Sequence, residues 1–259
     1  MSRKVCALVS VVAVCLLLAG CFDVEQSLVL EKDLSGKAGF SMTVNMEPMV
    51  LMMLRMQRQM AGQEGEPTAA EIAQAKKEFL ASKKETSSDD PEAQKAELAK
   101  SLPPGVKLLD SSFKDEGLKL QARFTFGFDD VAKLAQIKLP SKKEESGKPG
   151  SKNPFDTPFG ELQIARQGNT LLLTTKPTNP MQEQTDQMGG ETTPEMKKQM
   201  EEAFKGLRVA WKIQTPFEVL ESNATRREGS TLYWEYTLET FEKMTPQQRA
   251  EGIRLKLKT

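Results

Sequence analysis

The sequence predicts an α+β fold, built from repeated strand-strand-helix units that form a largely antiparallel sheet, with a helical insertion and polar loops between them. Three observations carry that reading. Runs of period-2 hydrophobicity come in pairs separated by short polar turns, and stretches of helical period follow the pairs. The strands alternate apolar with polar residues, whereas the strands of a parallel α/β sheet, buried on both faces, read as continuous apolar runs.

The first twenty residues stand apart from this pattern. Arg3 and Lys4 give a positive start, Val5 to Leu18 are almost purely apolar, and Leu18-Ala19-Gly20-Cys21 closes the segment with small residues before a cysteine. The apolar stretch falls short of the roughly 20 residues that a membrane span needs. Leu18, Ala19, Gly20 and Cys21 resemble the lipobox of signal peptidase II substrates, in which the cysteine sulfur takes a diacylglyceryl group and becomes the new N-terminus. The expectation is a leader over 1–20 and a lipid on Cys21, with further acylation of the palmitate kind making the anchor stable. Where the envelope has two membranes, sorting resembles a rule in which Asp directly after the cysteine retains the protein at the inner membrane. Phe22 occupies that place, so the outer membrane, on its periplasmic face, is the expected destination.

Residues 21–259 read as a single α+β domain. Its first strand begins at once: Phe22, Val24, Leu28 and Leu30 share one face, interrupted there by Gln26. A turn at Asp33 to Gly36 leads to a second run, Ala38, Phe40, Met42, Val44 and Met46, which completes a hairpin with one buried face. Glu47-Pro48 then opens a helix to about Ala61, since proline is tolerated in the first turn. Residues 62–104 are predicted to be an exposed helical insertion with helices over 69–84 and 92–101, because only Ile72, Phe79, Leu80 and Leu98 in its helical part are large and apolar.

A second hairpin spans Val106 to Ser112 and Leu118 to Phe128, and Asp129-Asp130 caps a short helix to about Ile137. Residues 140–158 carry Lys, Glu, Ser, Gly and Pro with almost nothing apolar and are expected to be a flexible linker. A third hairpin follows over Glu161 to Arg166 and Thr170 to Thr175, then a polar loop at 178–192 and a helix from Pro194 to Lys205 started by Thr193. Leu207, Val209, Trp211 and Ile213 alternate, with Phe217 and Val219 continuing after Pro216. Leu232, Trp234, Tyr236 and Leu238 return after a turn at 226–230. Thr245-Pro246 starts a short helix ending at Gly252, and Ile253, Leu255 and Leu257 close the chain as a strand with a basic outer face.

Composition removes much chemistry. There is no histidine, and the three cysteines are Cys6 and Cys15 in the leader and Cys21 itself, so the mature chain holds no thiol for a disulfide, a metal or nucleophilic attack. No P-loop, G-x-G-x-x-G or G-x-S-x-G occurs. The carboxylate doublets Asp89-Asp90, Asp129-Asp130 and Glu144-Glu145 read as solvated or capping residues. The chain is therefore expected not to be an enzyme and to need no cofactor or metal. Its 36 basic and 36 acidic residues are interspersed, and loss of Arg3 and Lys4 with the leader changes little, so the charge gives no argument for nucleic acid.

One motif is left over. Met49, Met52, Met53, Met56 and Met60 recur at helical spacing, with Val50, Leu51 and Leu54 beside them. Apolar stripes of this period are usually core, but methionine is also the side chain that adapts to varied partners, so the stripe reads either as core or as a malleable apolar groove for an acyl chain or a partner helix. Thioether ligation of Cu(I) is a third reading, without a His or Cys to strengthen it.

A lipidated Cys21 followed by a hairpin and a helix, with Pro216-Phe217-Glu218-Val219-Leu220-Glu221-Ser222-Asn223-Ala224 and Trp234 near the other end, resembles the LppM-like family of bacterial lipoproteins. Its members tend to carry a Pro-Gly-x-Val stretch, an Asn and then a Trp in a closing pair of strands. The resemblance covers roughly residues 21–61 and 205–238, and Phe217 stands where the family has Gly. It implies an envelope lipoprotein without an established enzymatic chemistry and adds no catalytic residue. The expected function is a lipid-anchored interaction or scaffold module docking another envelope protein, the alternative being a lipid or amphiphile binder.

Overall fold

A computed structural model describes residues 22–63, 65–86, 91–139, 157–159, 162–176 and 193–259. The expected leader, Cys21, most of the expected linker and the expected loop at 178–192 lie outside the described residues. The fold is α+β and mainly antiparallel, as the alternation predicts, but its strands divide into two sheets.

The larger sheet has seven strands in the order β3-β4-β2-β1-β7-β10-β9. Strands β1 (Phe22–Leu30) and β2 (Gly36–Asn45) are the predicted hairpin, running from Phe22 opposite Val44 to Leu30 opposite Gly36. Strand β3 (Val106–Glu116) pairs with β4 (Lys119–Phe128) and reaches four residues beyond its predicted end, leaving Gly117 and Leu118 as the whole turn. Gly117 sits there at φ +77°, a conformation that glycine adopts without strain. Beyond β1 lie β7 (Arg208–Gln214), β10 (Thr231–Thr237) and a three-residue edge strand, β9 (Arg226–Glu228), in what the sequence reads as a turn. The β1 and β7 pair is parallel, with Asp23 opposite Arg208 and Val29 opposite Gln214.

The four-stranded sheet runs β5-β6-β11-β8, with β5 (Gln163–Gln167), β6 (Thr170–Thr175), β8 (Glu218–Ser222) and β11 (Ile253–Lys258). The Phe217 and Val219 segment thus leaves β7 and crosses to the other sheet. One contiguous core joins both sheets: Phe126, Trp211, Ile213, Leu232 and Trp234 from the first, Leu171, Leu173, Leu255 and Leu257 from the second.

Helix α1 (Glu47–Met60) begins at Glu47-Pro48 as predicted, and the Glu47 N–H donates to the Asn45 side chain at 3.1 Å. Helices α2 (Ala69–Thr86) and α3 (Pro91–Ser101) form the insertion. It is not wholly peripheral, since Leu98 is buried in the core and Leu80 approaches the β3–β4 turn at Gly117. Lys83 fastens α2 to that turn, donating to the Asp115 carboxylate and to the Gly117 carbonyl, each at 2.7 Å. The segment after β4 is a single 3-10 stretch, Val131–Gln136, with the Asp130 side chain accepting from the Ala132 N–H. Helix α4 (Pro194–Ala203) starts from a Thr193 cap and puts Met200, Ala203 and Phe204 into the core. A short helix that the sequence reading missed, α5 (Leu238–Lys243), follows β10 through a capping box built from Thr237 and Thr240. Helix α6 (Pro246–Glu251) starts at Thr245 and ends at Gly252, as expected.

The expected linker over 140–158 needs one correction at its end. Pro158 is buried, and Phe159 beside it is 1% exposed, wedged edge-on between Phe126 and Trp211 with ring centroids 6.0 and 6.3 Å away. A large aromatic ring with core neighbours on both sides draws its proline inward with it.

Candidate functional site

The site begins with the Met-rich helix. An α-helix turns 100° per residue, so five methionines spanning Met49 to Met60 occupy a broad arc rather than a line. The surroundings of α1 divide that arc. Met52 is 2% exposed and belongs to the core, and Met49 and Met56 pack partly buried against it. Met53 and Met60, at 55% and 88%, face solvent. On another side Val50 is buried, and the flanking ion pairs Arg58 to Glu71 and Lys76 to Glu47 tie α1 to α2. Arg55 reaches Glu202 of α4 at 2.9 Å and Glu66 at 2.8 Å. The five methionines share one broad face of α1, but its surroundings divide it: part is core, and what is left open is a narrow sector of Met53, Gln57 and Met60.

A polar group lies in the interior of the larger sheet. Gln26 interrupts the apolar face of β1, pairs with Trp211 across to β7 and with Phe40 across to β2, and is 9% exposed. Its Nε2 donates to the Pro158 carbonyl at 3.4 Å, while its Oε1 is buried without a hydrogen-bond partner among the described residues. The break in alternation marks the residue in the sequence, but nothing there shows that its partner comes from 132 residues away.

The Asn and Trp of the closing segment meet in space. Trp234 Nε1 donates to Asn223 Oδ1 at 2.8 Å, the Arg254 N–H donates to the same oxygen at 2.9 Å, and Asn223 Nδ2 donates to the Gly252 carbonyl at 2.6 Å. Gly252 has φ +58°, and a Cβ there would stand 2.4 Å from the Thr175 carbonyl oxygen. The cluster ties β10 of one sheet to β11 of the other, which is a structural role.

The charged groups are also mostly structural. Arg208 at the start of β7 meets Asp23 at 2.9 Å, Glu25 at 3.3 Å and Glu235 at 3.6 Å on the outer face of the sheet. Burial opposes its charge, but Asp23, then Glu235 and Glu25, outweigh that and hold its pKa above the ordinary value. The Lys83 hydrogen bond, followed by that of the Gly117 N–H, holds Asp115 below the ordinary carboxylate range. Burial, with a smaller push from Glu251, raises the Tyr236 phenol to about 12. Among the described residues no three His, Cys, Asp or Glu side chains are placed to hold a metal ion, and no helix is long and apolar enough to cross a membrane. Leu18, Ala19, Gly20 and Cys21 lie outside the described residues.

No known family model and no curated protein matches the chain. Among solved structures, it is similar to the NMR structure of the folded domain of Mycobacterium tuberculosis LppM, at 12% identity and a TM-score of 0.42, over 92% of this chain and 90% of that one. LppM gives its name to the family that the two ends of the sequence resemble.

Proposed function

We propose that the chain is a bacterial envelope lipoprotein, anchored through lipid on Cys21, whose folded domain is a non-enzymatic interaction or scaffold module at the membrane surface. The observation that carries this reading is the join between leader and fold. A lipobox ends at Cys21, and the very next residue, Phe22, is already paired with Val44 and buried in the core. A retained transmembrane anchor needs a longer apolar run than Val5 to Leu18 supplies. The missing histidine and free thiol remove the commonest acid-base group and nucleophile, and the carboxylate doublet at 129–130 serves as cap and ion pair: Asp130 caps the 3-10 stretch and Asp129 pairs with Lys133 at 2.7 Å. The outer membrane, facing the periplasm, is the proposed destination in a two-membrane envelope, since Phe22 rather than Asp follows the cysteine.

The test is Cys21→Ser. The variant should accumulate as unprocessed precursor with no acyl mass on intact-protein mass spectrometry, while the parent loses residues 1–20 and gains the lipid; a lipidated Cys21→Ser protein would overturn the anchor. The partner is proposed to be another envelope protein, sought by crosslinking and detergent extraction. A second reading, binding of a lipid or other amphiphile, is favoured by the exposure of Met53 and Met60 beside the half-buried Met49 and Met56.

A further inference from the structure

The register of the seven-stranded sheet fixes which end of the domain the anchor leaves from. Strand β1 starts at Phe22, β2 ends at Asn45 opposite Lys119 where β4 starts, and β3 ends at Glu116 opposite the same Lys119. On the other side, Asp23 stands opposite Arg208 at the start of β7, and Arg208 opposite Thr237 at the end of β10. Six strands therefore terminate along one rim, and with strands about 4.8 Å apart that rim is about 24 Å wide. Its connections carry half-buried apolar side chains, namely Met46, Pro48, Leu118 and Leu238. Helix α2 lies along the β2–β4–β3 part of the rim, held by Lys76 on Glu47 and by Lys83 on Asp115 and the Gly117 carbonyl, so α2 shares any contact made there. Lys119 and Lys205 are exposed there, and the acids of the rim include Glu47 paired with Lys76 and Glu239 paired with Lys243.

We infer that this rim is a membrane-contact surface, seated on the phospholipid headgroups of the bilayer that holds the anchor, with the strands of the larger sheet standing away from it. The inference rests on the lipidation of Cys21 proposed above. Consecutive Cα atoms are about 3.8 Å apart, so a lipidated Cys21 has no tether: Phe22 is held by its pairing with Val44 and by the core, and the lipid leaves the protein at the middle of the rim. Strand β1 has nine residues, and at about 3.3 Å each the opposite rim, with the Glu31 to Ser35 turn, stands about 30 Å away. The mixture of signs along the rim means that the contact is made by the anchor and by shallow burial of apolar tips, with no requirement for anionic lipid.

The experiment uses the full chain, processed and lipidated, in vesicles of phosphatidylcholine and phosphatidylethanolamine. Because the mature protein has no other free thiol, single cysteines can be labelled with a fluorophore at the rim, Glu116→Cys and Glu239→Cys, and at the far end, Lys32→Cys and Glu228→Cys. Phospholipid carrying a nitroxide on its headgroup should quench the two rim labels and leave the two far labels unchanged, and adding phosphatidylglycerol should not alter this. Equal quenching at both ends, or none at the rim, in a protein whose mass includes the lipid overturns the proposal alone. A protein without the acyl mass overturns the anchorage reading, and the rim contact with it.

Discussion

At the scale of single residues, Asn223 holds more of the fold than its exposed position suggests. One side-chain oxygen accepts from the Trp234 indole and from the Arg254 backbone, and the amide nitrogen satisfies Gly252, so one residue joins the two sheets. Trp234 is 1% exposed, and an indole N–H left buried without an acceptor is costly. Asn223→Ala is expected to lower stability by about 1–3 kcal/mol, seen in urea as a lower midpoint at an unchanged slope. Asn223→Asp keeps an acceptor for Trp234 but sets a carboxylate oxygen against the Gly252 carbonyl, so it too should lower stability, and by more at neutral than at acid pH. A shift within about 0.5 kcal/mol for Asn223→Ala, the scatter of ordinary surface substitutions, would refute the bridging role. The Asn and Trp stand out in the sequence through their place in the family resemblance. Their backbone partners did not, because Gly252 and Arg254 lie about thirty residues downstream and contribute only main-chain groups.

At the scale of elements, helix α1 separates what period alone can say from what packing decides. The apolar spacing marks a helix from Glu47 and does so correctly, but a wheel of methionines does not show that α2, α4 and the sheet close on it from different sides. The two adjacent residues should therefore behave differently. Met52→Ala removes a core side chain and should cost about 2–5 kcal/mol. Met53→Ala, at 55% exposure, should cost less than about 0.5 kcal/mol by thermal or urea unfolding. If the open sector serves an acyl chain or a partner helix, Met53→Ala together with Met60→Ala will weaken capture of that ligand with stability intact; undiminished capture would leave the sector as plain surface. Hairpins β1–β2 and β3–β4 were legible because one face alternates almost without a break. Helix α5 was missed because its capping box uses Thr240 in place of the Glu or Gln that makes the motif recognisable, and β9 because three exposed polar residues carry no periodicity.

At the scale of the whole molecule, β1 begins at Phe22, so the lipid proposed on Cys21 would have no tether and would set the domain's position. Inserting twenty Gly/Ser residues after Cys21 would give a flexible spacer with a mean reach of about 25 Å and free the rim from the bilayer. If membrane contact is part of the function, the phenotype of deletion should reappear in that variant even though lipidation and folding are retained; full complementation would show that nearness to the bilayer is irrelevant. The parallel pairing of β1 with β7 was invisible in the sequence, since partners about 185 residues apart leave no local signature. That same pairing governs when the chain can fold. The first of the described strands, β1, lies between β2 and β7, so the sheet cannot close until residue 214 has been made. Closing so long a loop is slow and entropically costly, and a polypeptide that stays open until it is nearly complete remains thin enough to be threaded through a translocation channel. If residues 1–20 serve as an export leader, the late arrival of β7 keeps the precursor fit for export, and the sheet seals only on the far side.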